Sequence, residues 1–134
     1  MQGEKYREEV FKMQTPAWIH KLFKTIDAMD ANGFVSYLTE RAQLRFGNGP
    51  LVTGREKIRE TIVGFFSSIR ALKHVILATW THSDVVILHG EVTYTRKDGS
   101  QITIPFMNLF RMKGDLIDQY LVYVDLSPLY SPNL

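Results

Sequence analysis

The chain has 134 residues, 45% of them hydrophobic, a net charge of +2 and no cysteine. That length can bury the core of one domain. The missing cysteine excludes disulfides, thiolate nucleophiles and cysteine-ligated metals. The few excess positive charges are scattered, so no basic stripe for nucleic acid forms.

Residues 1–14, MQGEKYREEVFKMQ, are charged where a signal peptide needs an apolar core. No apolar run approaches the roughly 20 residues of a membrane span. A cytoplasmic protein without membrane contact is expected. Tyr6, Val10 and Phe11 give residues 4–13 a helical pattern, read as an extension ahead of a core domain at 15–130. Thr15-Pro16 predicts an N-cap followed by proline at the first helical position. The helix from Ala17 to about Met29 lines up Trp18, Leu22, Ile26 and Met29, with Ile19 and Phe23 beside them. Spacings of three and four residues mark a buried face. Asp30 caps a short second helix carrying Phe34, Tyr37 and Leu38, and Asn32-Gly33 breaks the two apart.

Arg41–Phe46 alternates as a short strand, and Gly47-Asn48-Gly49-Pro50 turns the chain. A third helix, Arg55–Ser67, turns Ile58, Ile62, Phe65 and Phe66 inward. Four strands then follow: Lys73–Thr81, Val85–Thr95, Gln101–Met112 and Leu116–Asp125. His82-Ser83, Lys97-Asp98-Gly99 and Lys113-Gly114 separate them, the second being a strong hairpin signal. Pro105 cannot donate to a ladder, so a bulge or gap is expected there. Helices first and an antiparallel meander afterwards predict an α+β fold, a curved sheet wrapped by helices around a pocket.

Two-residue loops at His82-Ser83, Asp98-Gly99 and Lys113-Gly114 would set His74 opposite Glu91, Asn108 opposite Gln119 and Ile102 opposite Asp125. One face then holds His74, Glu91, Phe106, Asn108, Gln119, Leu121, Tyr123 and Asp125. It mixes polar and apolar groups, as ligand cavities do, and is assigned to the pocket. The other face carries Val75, Leu77, Leu88, Val92, Met107 and Tyr120 among others. Both faces are apolar enough to need cover, so a homodimer through the sheet is expected. A three-residue loop at Lys97-Asp98-Gly99 would swap the faces of one hairpin.

Several segments together resemble the nuclear transport factor 2-like superfamily, within it the SnoaL-like polyketide cyclase and ketosteroid isomerase-like branch. They are the opening helix with Asp27 and Asp30, Phe34-Val-Ser-Tyr37-Leu-Thr-Glu-Arg-Ala42, Gly54-Arg-Glu-Lys-Ile58, His74 leading into Trp80, Asp98-Gly99, and Tyr123-Val-Asp125-Leu126. The resemblance spans about residues 15–130. It implies a cone of helices and curved sheet around an apolar pocket, commonly in a dimer. It also implies an acid/base at the end of the last strand, which Asp125 matches. Leu88-His-Gly-Glu-Val92 lacks the arginine of the fold's epoxide hydrolases. Leu44-Arg-Phe-Gly47 lacks the carboxylate of its steroid isomerases.

The residues then divide into roles. Asp125 is the candidate acid/base, given burial that lifts its pKa. His74 is its partner or a proton shuttle. Glu91, Asn108 and Tyr123 are candidates to hold or polarise a ligand carbonyl or hydroxyl. Trp18 and Tyr37, if not simply core, line the cavity. No metal-ligand spacing, dinucleotide loop, phosphate loop or serine nucleophile motif occurs, so no cofactor is expected. Two readings remain open: a cofactor-independent isomerase or cyclase acting on a small or polycyclic apolar carbonyl compound, and a non-catalytic binding or dimerisation module.

Overall fold

The computed structural model describes residues 15–131; the helical pattern expected at 4–13 lies outside them. The elements run α1 (Ala17–Asp27), α2 (Ala31–Val35), β1 (Leu38–Phe46), β2 (Val52–Thr53), α3 (Arg55–Ser67), β3 (Ala71–His82), β4 (Val85–Thr95), β5 (Gln101–Lys113), β6 (Leu116–Tyr123) and α4 (Ser127–Tyr130). The α+β class and the helices-then-meander order are as the sequence predicts. One six-stranded sheet has the order β2-β1-β6-β5-β4-β3. All neighbours are antiparallel except β1 and β6. The helices cover one face of this curved sheet and close it into a cone.

Local chemistry explains the helix ends. Pro16, not Thr15, stands at the cap of α1, because the Thr15 hydroxyl is used elsewhere and donates to Thr79 Oγ1 at 2.9 Å. Helix α1 stops two residues short of Met29, whose φ of 57° belongs to the left-handed region. Asp30 caps α2 by accepting from the Gly33 N–H at 2.9 Å. Asn32 and Gly33 lie within α2 rather than breaking it. Ile19, Leu22, Phe23 and Ile26 of α1 meet Ile58, Ile62 and Phe66 of α3 in one core cluster. Arg96 closes the base of the cone: its guanidinium donates to Leu129 O at 2.9 Å and Pro128 O at 3.0 Å.

Three turns set the strand registers, and the resulting pairings differ from the two-residue reading. Arg96 N–H donates to Ser100 O at 2.7 Å, so the loop is the three residues Lys97-Asp98-Gly99. Gly99, with φ of 89°, supplies the conformation this loop needs. The next turn is Gly114-Asp115, with Lys113 opposite Leu116. A register shift between Arg111 and Met112 then moves Asn108 opposite Val122, not Gln119. A shift between Ile76 and Ala78 leaves His74 opposite Val92, not Glu91. One-residue slips exchange faces. The inward residues of β3 and β5 therefore stand where the sequence put them, and those of β4 and β6 are reversed. Pro105 needs no bulge: the β4–β5 register runs unbroken through it, and the ladder with β6 ends at Met107.

Candidate functional site

The cavity lies between the inner sheet face and helices α1, α2 and α3. Aromatic rings dominate its wall, with Phe23, Phe34, Phe46, Phe65, Phe66 and Phe106 drawn from five elements of the chain. Its polar members are His74, Tyr94, Asn108 and Tyr120. The free core of this cavity is about 40 Å³. At roughly 10–15 Å³ per water on this measure, it holds about three waters.

His74 is the most constrained polar group. Its Nδ1–H donates to Asp27 Oδ1 at 2.6 Å, and its backbone N–H donates to Asp27 Oδ2 at 3.0 Å. One carboxylate thus fastens strand β3 to helix α1 and orients the imidazole at once. A carboxylate only accepts, so Nδ1 carries the proton and neutral His74 keeps Nε2 free as an acceptor. Phe23 lies 4.8 Å from the imidazole centroid and Phe106 5.3 Å, the latter edge-on at 89°. Gly90 makes room for Phe106. A Cβ there would stand 2.9 Å from Phe106 Cε1 and would strike the Val75 carbonyl. The side chain of His74 is 10% exposed and that of Asp27 24%.

Asn108 and Tyr120 form a second polar pair. Asn108 Nδ2 donates to the Tyr120 hydroxyl at 3.4 Å, a long bond, while Asn108 is 2% exposed. Its Oδ1 has no hydrogen-bond partner among the described residues. Phe34 and Phe110 hold the Tyr120 ring at 5.4 Å and 4.4 Å. Burial holds the hydroxyls of Tyr94 and Tyr120 above the usual tyrosine range. The neighbouring Tyr130 adds to this for Tyr94, and the Asn108 bond acts the other way on Tyr120.

The structure corrects several expected placements. Asp125 does not reach the cavity: it is exposed, and its carboxylate accepts from the Ser127 N–H at 3.0 Å. The Ser127 hydroxyl and amide hold that carboxyl below its ordinary range, opposite to what a neutral-pH base requires. Tyr123 is 59% exposed. Both side chains line an open groove beside Arg45 and Asn48, which shares Phe46, Val122 and Val124 with the cavity wall. Glu91 is exposed on the outer face, opposite Pro105. Trp18 packs 6.1 Å from Phe110 and borders a groove near Asp84 and Asp115, away from the cavity. Tyr37 packs against the core, and its carbonyl accepts from the Ile117 N–H at 2.8 Å. His74 and Asn108 do stand on the cavity wall.

Sequence reasoning named Asp27 only within a motif and gave it no role. The available signal was its position one residue after Ile26 and four after Phe23, at the rim of the buried stripe. The register of two-residue loops puts Tyr120 on the face away from the pocket, whereas it lines the cavity. Among the described residues no cluster of three or more His, Asp or Glu could hold a metal ion, and no helix is long and apolar enough to cross a membrane.

The SnoaL-like domain model matches residues 19–120, from inside α1 to the middle of β6. The chain belongs to the SnoaL-like domain family. A search of curated proteins by sequence matches none. Solved structures with the same fold include a hypothetical protein with a ketosteroid isomerase-like fold from Catenulispora acidiphila in complex with trimethylamine. It is 19% identical, with a TM-score of 0.78 over 85% of this SnoaL-like chain and 89% of that one. TerC, co-crystallised with polyporic acid, is 15% identical at a TM-score of 0.73, over 84% and 92%. An NTF2-like protein of unknown function from Burkholderia pseudomallei is 12% identical at 0.76, over 83% and 90%. At these identities the likeness is one of fold. The cavity chemistry of this SnoaL-like domain has to be argued from its own residues.

Proposed function

We propose that this chain is a cofactor-independent isomerase or cyclase that moves a proton next to a carbonyl group. The observation that carries this reading is the 2.6 Å contact between His74 Nδ1 and Asp27 Oδ1 at the wall of an apolar cavity. Nε2 is the base. It takes a proton from the carbon beside the carbonyl, and Asp27 stabilises the imidazolium that forms. Asn108 Nδ2 and the Tyr120 hydroxyl are the neutral donors available to the oxygen as negative charge grows on it. Burial keeps Tyr120 protonated and so able to donate. The proton then returns from Nε2 to a different carbon or to a leaving oxygen. No redox partner is needed, because no net electron transfer occurs.

The free volume of about 40 Å³ favours a small compound over a polycyclic one. A larger substrate has to part Phe46 and Phe65, whose rings stack at 5.6 Å. Two neighbours of the fold were solved with small molecules, trimethylamine and polyporic acid, which is in keeping with a ligand-binding cone.

The reading includes a homodimer through the outer sheet face. Val75 at 52%, Leu77 at 50% and Met107 at 40% exposure form an apolar surface there. A lone domain seldom leaves such a patch in water.

The test is deuterium exchange from solvent into small ketones such as cyclohexanone, followed by proton NMR. His74→Gln and Asp27→Asn should each slow catalysed exchange by roughly 10²-fold or more while the fold persists. The amide introduced by Asp27→Asn can still accept from the β3 N–H. Its NH₂ would face Nδ1 and force the proton onto Nε2, turning base into donor. Exchange at the parent rate in both folded variants refutes the reading.

A further inference from the structure

We propose that the cavity selects ligands carrying a hydroxyl or N–H donor, and that Asn108 is the residue that imposes this choice. The inference rests on the functional reading above and names the substrate class of the same site: a compact apolar carbonyl compound that also bears a hydrogen-bond donor.

The fold leaves one buried side-chain acceptor, Asn108 Oδ1, unmet among the described residues. Asn108 sits mid-strand in β5 between Leu88 of β4 and Val122 of β6, both apolar. Its side chain enters a wall that is mostly aliphatic and aromatic, with His74, Tyr94 and Tyr120 as the other polar members. At 2% exposure its amide has left bulk water, yet Oδ1 finds no partner among the described residues. A buried polar atom without a partner costs stability. A valine or leucine at this position would remove that cost and fill the cavity. The residue stands where only water or a ligand's donor can complete it.

The partner atom sharpens the choice. Nδ2 already points at the Tyr120 hydroxyl, 3.4 Å away, and that hydroxyl's ring is fixed between Phe34 and Phe110. With Nδ2 committed to Tyr120, Oδ1 is the amide atom left for a ligand to meet. A ligand hydroxyl can donate to Oδ1 and accept from the Tyr120 side. An ether of the same shape can accept but not donate, and on displacing water it leaves Oδ1 bare. Sites built to bind a hydroxyl reject analogues that lack it, because their own polar groups are then left unpaired. His74 offers a second acceptor, its Nε2, but it stands on β3, with β4 between it and the strand of Asn108 and its Tyr120 partner, so the His74→Gln variant separates the two.

The experiment uses three fluorinated probes of similar bulk: 4-fluorophenol, 4-fluoroanisole and 4-fluorotoluene. Dissociation constants are read by fluorine NMR on the parent chain, Asn108→Leu and His74→Gln. The parent should bind the phenol at least about tenfold tighter than the ether or the toluene. Asn108→Leu should bind all three within about threefold of one another. His74→Gln should keep the preference. Equal binding of ether and phenol by the parent overturns the proposal, and is also what an amide turned the other way would give. So does a preference that survives in Asn108→Leu. A preference lost in His74→Gln but kept in Asn108→Leu assigns the donor to His74; it overturns this inference while the His74–Asp27 reading stands. The converse is separate: unchanged ketone exchange in the dyad variants removes the catalytic reading and leaves the probe preference to be judged alone. Failure of every probe to bind overturns this inference and leaves the His74–Asp27 reading to its ketone-exchange test.

Discussion

Replacing Asp27 with alanine should cost this fold more than an ordinary surface carboxylate does. The change removes two acceptors at once, leaving the His74 backbone N–H and its Nδ1–H without their 3.0 Å and 2.6 Å partners. Each stranded donor costs about 1–3 kcal/mol when water is kept out. Here the Asp27 side chain is 24% exposed and that of His74 10%, so water can partly replace the carboxylate. The lower half of the range applies, giving about 2–4 kcal/mol in all. For a domain of this size that is a fall in Tm of about 6–16 °C, at about 3–4 °C per kcal/mol. Urea unfolding of the parent, Asp27→Ala and Asp27→Asn gives the measurement. Asp27→Asn keeps an acceptor for the β3 amide and should lose about 1 kcal/mol. The Asp27→Ala/His74→Ala double mutant should show that the two changes are strongly non-additive. An Asp27→Ala chain within about 0.5 kcal/mol of the parent would refute the claim that this carboxylate fastens β3 to α1, since such losses are typical of surface changes that touch nothing important.

Four other outcomes follow from the same structure. Phe110→Ala, at a fully buried ring packed against Trp18 and Tyr120, should lose about 3–5 kcal/mol in chemical denaturation. Asp125→Asn should leave ketone exchange unchanged, because the side chain is exposed and tied to Ser127; its depressed carboxyl lends stability above the unfolded carboxylate range and loses it as pH falls through the folded value, which carbon-detected NMR titration can follow. Tyr94 and Tyr120 have raised values, so their contribution is complete below the free tyrosine value of about 10 and fades as pH climbs beyond it. Ultraviolet titration should therefore find these two hydroxyls protonated until alkaline unfolding releases them. Leu77→Lys with Met107→Lys should halve the mass seen by light scattering while the far-ultraviolet circular dichroism stays unchanged, and a parent chain that is already monomeric refutes the dimer.

The sequence specified the elements far better than the faces. The 3.6-residue stripe of Ile19, Leu22, Phe23 and Ile26 has one solution, and α3 runs from Arg55 to Ser67 as its pattern requires. Strand faces depend instead on turn length, where one residue reverses everything downstream. Lys97-Asp98-Gly99 is compatible with loops of two or three residues. The longer loop prevails because Asp98 accepts from the Ser100 N–H and hydroxyl at 2.9 Å and 2.6 Å, and Gly99 adopts positive φ. The shifts at Ile76/Ala78 and Arg111/Met112 have no local marker as clear as a glycine. With the longer loop, they decide that His74 meets Val92 and that Tyr120, rather than Tyr123, looks inward. Asp27 was illegible for another reason. Its partner is 47 residues away on a different element, and no spacing rule joins a helix rim to a strand.

Asp27 serves two ends with its two oxygens, and that division bears on whether the cavity does chemistry. Oδ2 takes the β3 amide, which any structural clamp would do. Oδ1 takes the imidazole, which a clamp does not require. A histidine kept only for packing between Phe23 and Phe106 could be another aromatic ring, with no carboxylate needed to hold it. What the imidazole adds is a free Nε2 of defined tautomer, held rigidly on two sides, in a hollow that also carries an unmet amide. An acid/base site needs those parts and a binding site needs only the amide. The oriented base is therefore the feature that favours an enzyme, and in the proposed reaction the reacting carbon lies on the His74 side and the oxygen on the side of Asn108 and Tyr120.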